Sequence, residues 1–102
     1  MPLVLPLLAT ISLLNYTNNM LVEKTVYRPE NSTELMIKVL KFDTEQYFDY
    51  MKIDDAYGKT LALSSGHLVP YSFNTTSPSV TVTFTSDVTT TYEGIELEFY
   101  AF

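Results

Sequence analysis

The residues best placed to do chemistry lie in "SDVTTTYEG", residues 86–94. Before it, Val82 and Phe84 alternate with Thr81, Thr83 and Thr85. After it, Ile95, Leu97 and Phe99 alternate with Glu96, Glu98 and Tyr100. Alternation with a period of two marks a strand on each side, so the segment joins two strands. Asp87 ends the first of them, directly before a run of hydroxyl and carbonyl oxygens. Such an aspartate either caps a turn or ligates a cation, and the segment alone leaves both readings open. The other reactive residue types are scattered. His67 stands alone, with no second His and no Cys to make a transition-metal site. Ser64 and Ser65 lie near His67, but no nucleophile elbow surrounds them. Asp54 and Asp55 read as turn residues, since neighbours in a turn or strand point to different sides. No catalytic set emerges, and the expectation is a non-enzyme. Tyr47, Tyr50, Tyr57, Tyr71, Tyr92 and Tyr100 are candidates for a face that binds protein or sugar, a use to which tyrosine is suited.

The elements that must position these residues are strands. The chain holds 102 residues, enough for one domain, residues 1–102, and one modest core. Eight Tyr and fourteen Thr favour strand. Residues 3–13 read as one or two apolar strands broken at Pro6. Strands follow over 20–28, 34–42, 48–53, 60–65 and 71–73, with a final pair over 80–86 and 94–101. The segment 34–42 is also rich in helix formers, but its length of nine and its flanking turns favour strand. Turns are expected at 29–33, at 54–59 with Gly58 at positive φ, at the corner 66–70, and at 74–79. No crossover helix is in sight, so the fold class is all-β, an antiparallel β-sandwich.

Composition excludes several function classes. A net charge of −6 opposes a phosphate-tracking nucleic-acid binder and docking on an anionic membrane; it suits a divalent cation as partner. The absence of cysteine excludes disulfides, zinc–thiolate sites, iron–sulfur clusters and thiol nucleophiles. It would also favour a reducing compartment, but three N-x-[ST] sequons oppose that reading. They begin at Asn15, Asn31 and Asn74, all in segments expected to be loops. The localisation expected is therefore secreted or extracellular, with N-linked sugars at these three residues. The apolar start, "MPLVLPLLATISLL", has no basic residue before Lys24 and is too short to span a bilayer as a helix. It reads better as a first strand of its own sandwich. Its alternative is to complete the sheet of a neighbouring copy and so build a fibre.

Four motifs, in order, resemble those of the CUB domain family. "NYTNNMLVEKTVYRPENS" keeps Tyr16, Asn18, Asn19, Val26 and Pro29 of the family's first motif. Thr17 stands for its proline, Val22 for its cysteine and Lys24 for its tryptophan. "QYFDYMKI" keeps Phe48, Asp49, Tyr50, Met51 and Ile53, with Gln46 for a cysteine. Ser65-Gly66, followed by Pro70, stands for a Cys-Gly. "FTSDVTTTYEGIELEFY" matches the closing Ser-Asp, Gly and strand. The resemblance covers roughly residues 3–102. It implies a CUB-like jelly-roll sandwich whose two family disulfides are missing here. It also implies a Ca²⁺ site formed by Glu45, Asp49, Asp87 and an oxygen of Thr89, with Asp43 as runner-up to Glu45. The function so implied is a non-catalytic extracellular module for Ca²⁺-supported recognition or adhesion, its partner a protein or a glycan. The alternative is a self-assembling subunit of an extracellular filament or coat, a homo-oligomer built by exchange of the apolar N-terminal strand.

Overall fold

The computed structural model describes residues 6–102; the part of the expected first strand at residues 3–5 lies outside them. Nine strands and no helix occur among the described residues. They are β1 (Leu7–Leu14), β2 (Leu21–Tyr27), β3 (Leu35–Asp43), β4 (Tyr50–Asp55), β5 (Thr60–Ser64), β6 (His67–Leu68), β7 (Tyr71–Thr75), β8 (Ser79–Thr85) and β9 (Gly94–Ala101). One sheet runs β1-β9-β3-β6, with β7 also on β3; the other runs β2-β8-β4-β5. Every pairing is antiparallel. The expected sandwich is present, and β1 lies in its own sheet.

The core follows from alternation. Leu35, Ile37 and Val39 of β3 and Ile95, Leu97 and Phe99 of β9 point inward from one sheet. Met51 and Ile53 of β4 and Val80, Val82 and Phe84 of β8 meet them from the other. All are 2 % exposed or less. Each such side chain removed from water stabilises the fold by roughly 1.5–3 kcal/mol. The helix formers of 34–42 thus form a strand, because pairing on both flanks outweighs a weak intrinsic preference.

Three local readings of the sequence are corrected. Asp54 and Asp55 are strand residues that pair with Thr81 and Val80, not turn residues. Asp55 still organises the turn that follows, since its Oδ1 accepts the N–H groups of Tyr57 and Lys59 at 2.9 Å each. Asn74 lies in β7 opposite Met36, not in a loop, because the ladder on β3 extends two residues past Phe73. Its side chain is exposed there, as are those of Asn15 and Asn31 in their turns. His67 and Leu68 pair with Asp43 and Phe42 rather than forming only a corner. A bulge between Val39 and Lys41 also moves the inward phase of β3 from odd to even positions, which buries Phe42.

Gly58 has φ +82 in its turn, as its position requires. Gly94 is under a harder constraint. It opens β9 at φ +106, and a Cβ there would lie 2.1 Å from the carbonyl oxygen of Leu13. Only glycine lets β9 begin where it does, directly after the acidic loop. Gly94→Ala is expected to cost about 3 kcal/mol or more, through backbone strain and overpacking together. A urea titration that found the variant within about 1 kcal/mol of the parent would refute this account.

Candidate metal centre

Three loops meet at one end of the sandwich. Residues 15–20 join β1 to β2, residues 44–49 join β3 to β4, and residues 86–93 join β8 to β9. The first is anchored by backbone bonds from Asn15 N–H to Glu93 O (2.8 Å) and from Asn19 N–H to Asp87 O (2.7 Å). Ser86 adds a side-chain tie: its Oγ donates to Thr17 O at 2.6 Å and accepts from Met20 N–H at 2.9 Å. Asn15 and Asn19 hold φ near +57, a region asparagine tolerates well. The second loop is tight, with the N–H of Asp49 on Glu45 O at 3.0 Å. It also puts Tyr47 at φ +69.

These loops bring Asp49 to their centre, fully buried. Its Oδ2 accepts the Tyr16 hydroxyl at 2.6 Å, and its Oδ1 accepts the Asp87 N–H at 2.9 Å. Tyr16 Oη in turn accepts the Glu45 N–H at 3.2 Å. One carboxylate of Asp49, Glu45 and Asp87 each contributes an oxygen to a cluster whose atoms lie within 4.8 Å of one another. The ion pairs Lys41–Glu93 and Lys52–Asp54 and the His67–Asp43 contact, found among the described residues, leave this cluster without a basic partner.

Glu45 shows the consequence. Its Oε1 is buried and has no hydrogen-bond partner. Desolvation, then the neighbouring Asp87 carboxylate, then the charge of Asp49, hold its carboxyl above the usual glutamate range, against a lowering contact with the Thr90 side chain. A buried, unpaired carboxylate oxygen beside two other acids is costly unless a cation neutralises it. Calcium takes oxygen ligands at about 2.3–2.6 Å, so two of them lie at most about 5 Å apart, and this donor set fits it. Tyr16 responds to the same charge: burial, then its bond to Asp49, pushes its hydroxyl up to about 12, against the Glu45 N–H that it accepts.

The residues expected to ligate thus divide. Glu45, Asp49 and Asp87 come together. Asp43, the runner-up, is engaged elsewhere: its Oδ2 accepts Glu93 N–H at 3.2 Å and its Oδ1 lies 3.6 Å from His67 Nδ1. Thr89 is in the same loop, exposed, and its N–H donates to Asp87 Oδ1 at 3.3 Å. Asp87 therefore caps its turn with one oxygen while sharing in the cluster, so the two readings of "SDVTTTYEG" are not exclusive. Sequence reasoning gave Tyr16 no role at the site, although the residue was matched in the first motif. Its partner is 33 residues away, and no local pattern signals such a bond. Thr90, held at φ +65, was missed as well.

Two positions where the resemblance expects cysteine, Gln46 and Ser65, also come together. Ser65 Oγ accepts the Tyr47 N–H at 2.9 Å, and a Cβ placed on Gly66 would touch Gln46 Cγ at 3.4 Å. Thr44 completes the link: its Oγ1 accepts Gly66 N–H at 2.9 Å and donates to Asp49 O at 3.0 Å.

No family model matches the sequence, and no curated protein matches it. Solved structures do. The MASP-1 CUB2 domain bound to Ca²⁺ superposes with a TM-score of 0.76 at 23% identity, covering 88% of each chain. The CUB1-EGF-CUB2 domain of human MASP-1/3 gives 0.77 at 16% identity, and that of rat MASP-1 gives 0.79 at 18%. Both cover 92% of this chain, which spans only 41% and 40% of theirs. The chain has the CUB fold.

Two outcomes follow from the geometry. Tyr16→Phe removes the donor to Asp49 Oδ2 and should cost about 1–3 kcal/mol in urea unfolding. Glu45 gives the cation-free protein a defined pH dependence. Its folded carboxyl holds a proton that the unfolded one has already lost. Stability from this group is therefore full below the ordinary glutamate value and is lost as pH rises through the raised folded value. With a chelator present, the parent should lose more stability over that interval than Glu45→Gln; parallel curves would refute the assignment.

Proposed function

We propose that this CUB-fold chain is a secreted, N-glycosylated, non-catalytic module that recognises a protein or a glycan, with Ca²⁺ as its structural cofactor. Glu45, Asp49 and Asp87 would hold the ion, with an oxygen of Thr89 adding to the set. The observation that carries this reading is the buried, unpartnered Oε1 of Glu45 beside the buried Asp49 carboxylate. Bound there, the ion supplies positive charge where three loops converge and so fixes their relative positions. The residues flanking it then act as a presented surface.

That surface has the composition of an interface. Tyr47 and Phe48 project beside Glu45 and Asp49, and Val88 and Tyr92 lie in the Asp87 loop; all four are exposed. Exposed aromatic side chains around a fixed polar centre suit recognition. Of the other tyrosines, Tyr57 is exposed in the turn after β4, Tyr71 stacks on Phe73 at 6.2 Å, and Tyr100 donates to Glu98 at 2.7 Å. The reading as a non-enzyme has similar support, since Asp54, Asp55 and His67 are all engaged in local structural bonds. Exposure of Asn15, Asn31 and Asn74 supports sugar attachment and, with it, secretion. No helix among the described residues is long and apolar enough to cross a membrane. The alternative, a self-assembling subunit of an extracellular filament or coat, draws support from one feature, the uncharged edge of β1.

Calcium should raise the melting temperature of the chain by several degrees over the value in chelator, since 1 kcal/mol is about 4–8 °C for a domain of this size. Glu45→Gln and Asp87→Asn should abolish that shift, and protein from its native source should carry excess mass at the three asparagines. Binding to panels of secreted proteins and glycans should disappear in chelator. A parent that melts identically with and without calcium would overturn the cation reading, and binding untouched by chelator would overturn its functional part.

A further inference from the structure

The acidic cluster is closed from beneath and open outward. Asp49 is fully buried, Glu45 and Asp87 are half-buried, and Thr89 is exposed. One oxygen from each acid, with one from Thr89, falls short of the roughly six to eight that calcium takes. Asp49 has little more to give, because each of its oxygens already accepts a hydrogen bond, one from Tyr16 Oη and one from Asp87 N–H. Oxygens from outside the chain complete the shell, either water or a ligand that displaces it.

Charge selects that ligand. Carboxylates from Glu45, Asp49 and Asp87 exceed a divalent cation by one negative charge, and the whole chain carries −6. A phosphate or a carboxylate is repelled by the surplus. A lysine side chain is drawn to the acids, but it has no lone pair to offer the ion. Neutral oxygens suffer neither defect. Adjacent hydroxyls of a sugar ring supply two of them, already fixed side by side, which saves the entropy of ordering separate groups.

The surroundings suit the same ligand. Tyr47 and Phe48, 71% and 60% exposed, stand on the loop between Glu45 and Asp49. That loop is tied down: the N–H groups of Phe48 and Asp49 donate to Glu45 O, and Tyr47 N–H donates to Ser65 Oγ at 2.9 Å. Tyr47 is held at φ +69, a costly conformation for an aromatic residue. Two rings presented to water by a fixed loop make an apolar platform that needs little further ordering. A sugar has hydroxyls at its edge and an apolar face of C–H bonds, so one residue can meet ion and ring together. The sugar expected on Asn15 stands apart from this platform. Asn15 lies on the β1–β2 loop at one border of the two sheets, Tyr47 is bonded toward the β5–β6 border, and the Asp87 loop runs between them.

We propose that this end of the sandwich binds a single sugar residue of a glycan. Its adjacent hydroxyls complete the coordination of the ion, and its apolar face lies on Tyr47 or Phe48. The inference rests on the cation reading given above and names the ligand which that reading leaves open.

The full chain, made without sugars of its own, should be titrated with the methyl glycosides of mannose, fucose, galactose and N-acetylglucosamine. At least one should bind in calcium and be released by chelator. Calcium and that glycoside should each tighten the other by the same factor, about fivefold or more, a reciprocity that a sugar resting on the rings alone would not show. In Y47N/F48S, whose asparagine tolerates the positive φ, the glycoside should bind about tenfold more weakly while calcium still raises the melting temperature. A parent that melts higher in calcium but binds no glycoside would overturn this inference alone, as would glycoside binding indifferent to chelator. Calcium-dependent capture of a lysine-containing peptide, with no glycoside bound, would overturn it in favour of a protein partner. A parent whose melting ignores calcium would overturn both this inference and the cation reading beneath it.

Discussion

The Asp49 carboxylate, fully buried at the end of the sandwich, is the constraint on which the surrounding structure depends. A buried charge is tolerated only where hydrogen bonds or opposite charge replace its water. Two of those bonds come from distant parts of the chain, the hydroxyl of Tyr16 and the N–H of Asp87. Satisfying one residue therefore fixes three loops against one another. The Tyr16 ring serves the core at the same time, meeting Phe84 edge-on at 4.9 Å. Polar centre and apolar core share a residue, so disturbing either is felt by both.

Hydrogen bonds answer Asp49 but not Glu45. Asp49 has two donors, while Glu45 presents a buried oxygen to two other carboxylates. A cluster meant only for turn formation would need one acid, and Asp87 already fills that role through Thr89 N–H. The surplus charge is what makes the centre resemble a site rather than a cap. It also explains why the Tyr16 proton is held so firmly: ionising it would add a further negative charge.

Most of the fold was legible because burial imposes a period of two. β8 and β9 could be read directly from Val82, Phe84, Ile95, Leu97 and Phe99. What could not be read was set by pairing between segments far apart in sequence. The bulge that buries Phe42 and the extension of β7 through Asn74 depend on neighbouring strands, not on local residues. Asp54 and Asp55 looked like a turn because acids favour turns, but the ladder to β8 outweighed that preference. Asp87 stood out at the end of its own strand, but Glu45 and Asp49 were legible only through the order and spacing of the four motifs. Tyr16, Thr44 and Thr90 act through bonds and contacts that no spacing rule predicts.

The absence of disulfides gives the polar centre more weight than it would otherwise carry. A native bridge in a small secreted domain contributes roughly 2–5 kcal/mol. Here Thr44, Tyr47, Ser65 and Gly66 span the corresponding gap with three hydrogen bonds, Tyr47 N–H to Ser65 Oγ, Gly66 N–H to Thr44 Oγ1 and Thr44 N–H to Gly66 O. Each such bond is worth about 0.5–1.5 kcal/mol net, so the three together reach about 1.5–4.5 kcal/mol, comparable to one bridge and short of two. These bonds attach to the same loop as Glu45 and Asp49, so the link and the acidic cluster are mechanically one unit. A cation bound to the cluster would tighten that unit directly, because ligand binding to the folded state alone adds RT ln(1 + [L]/Kd) to stability. In a domain with covalent bridges such a term is an increment. In this chain, with a modest core and none, the same term would take over part of the bridges' role, and stability would then follow the cation concentration of the surroundings.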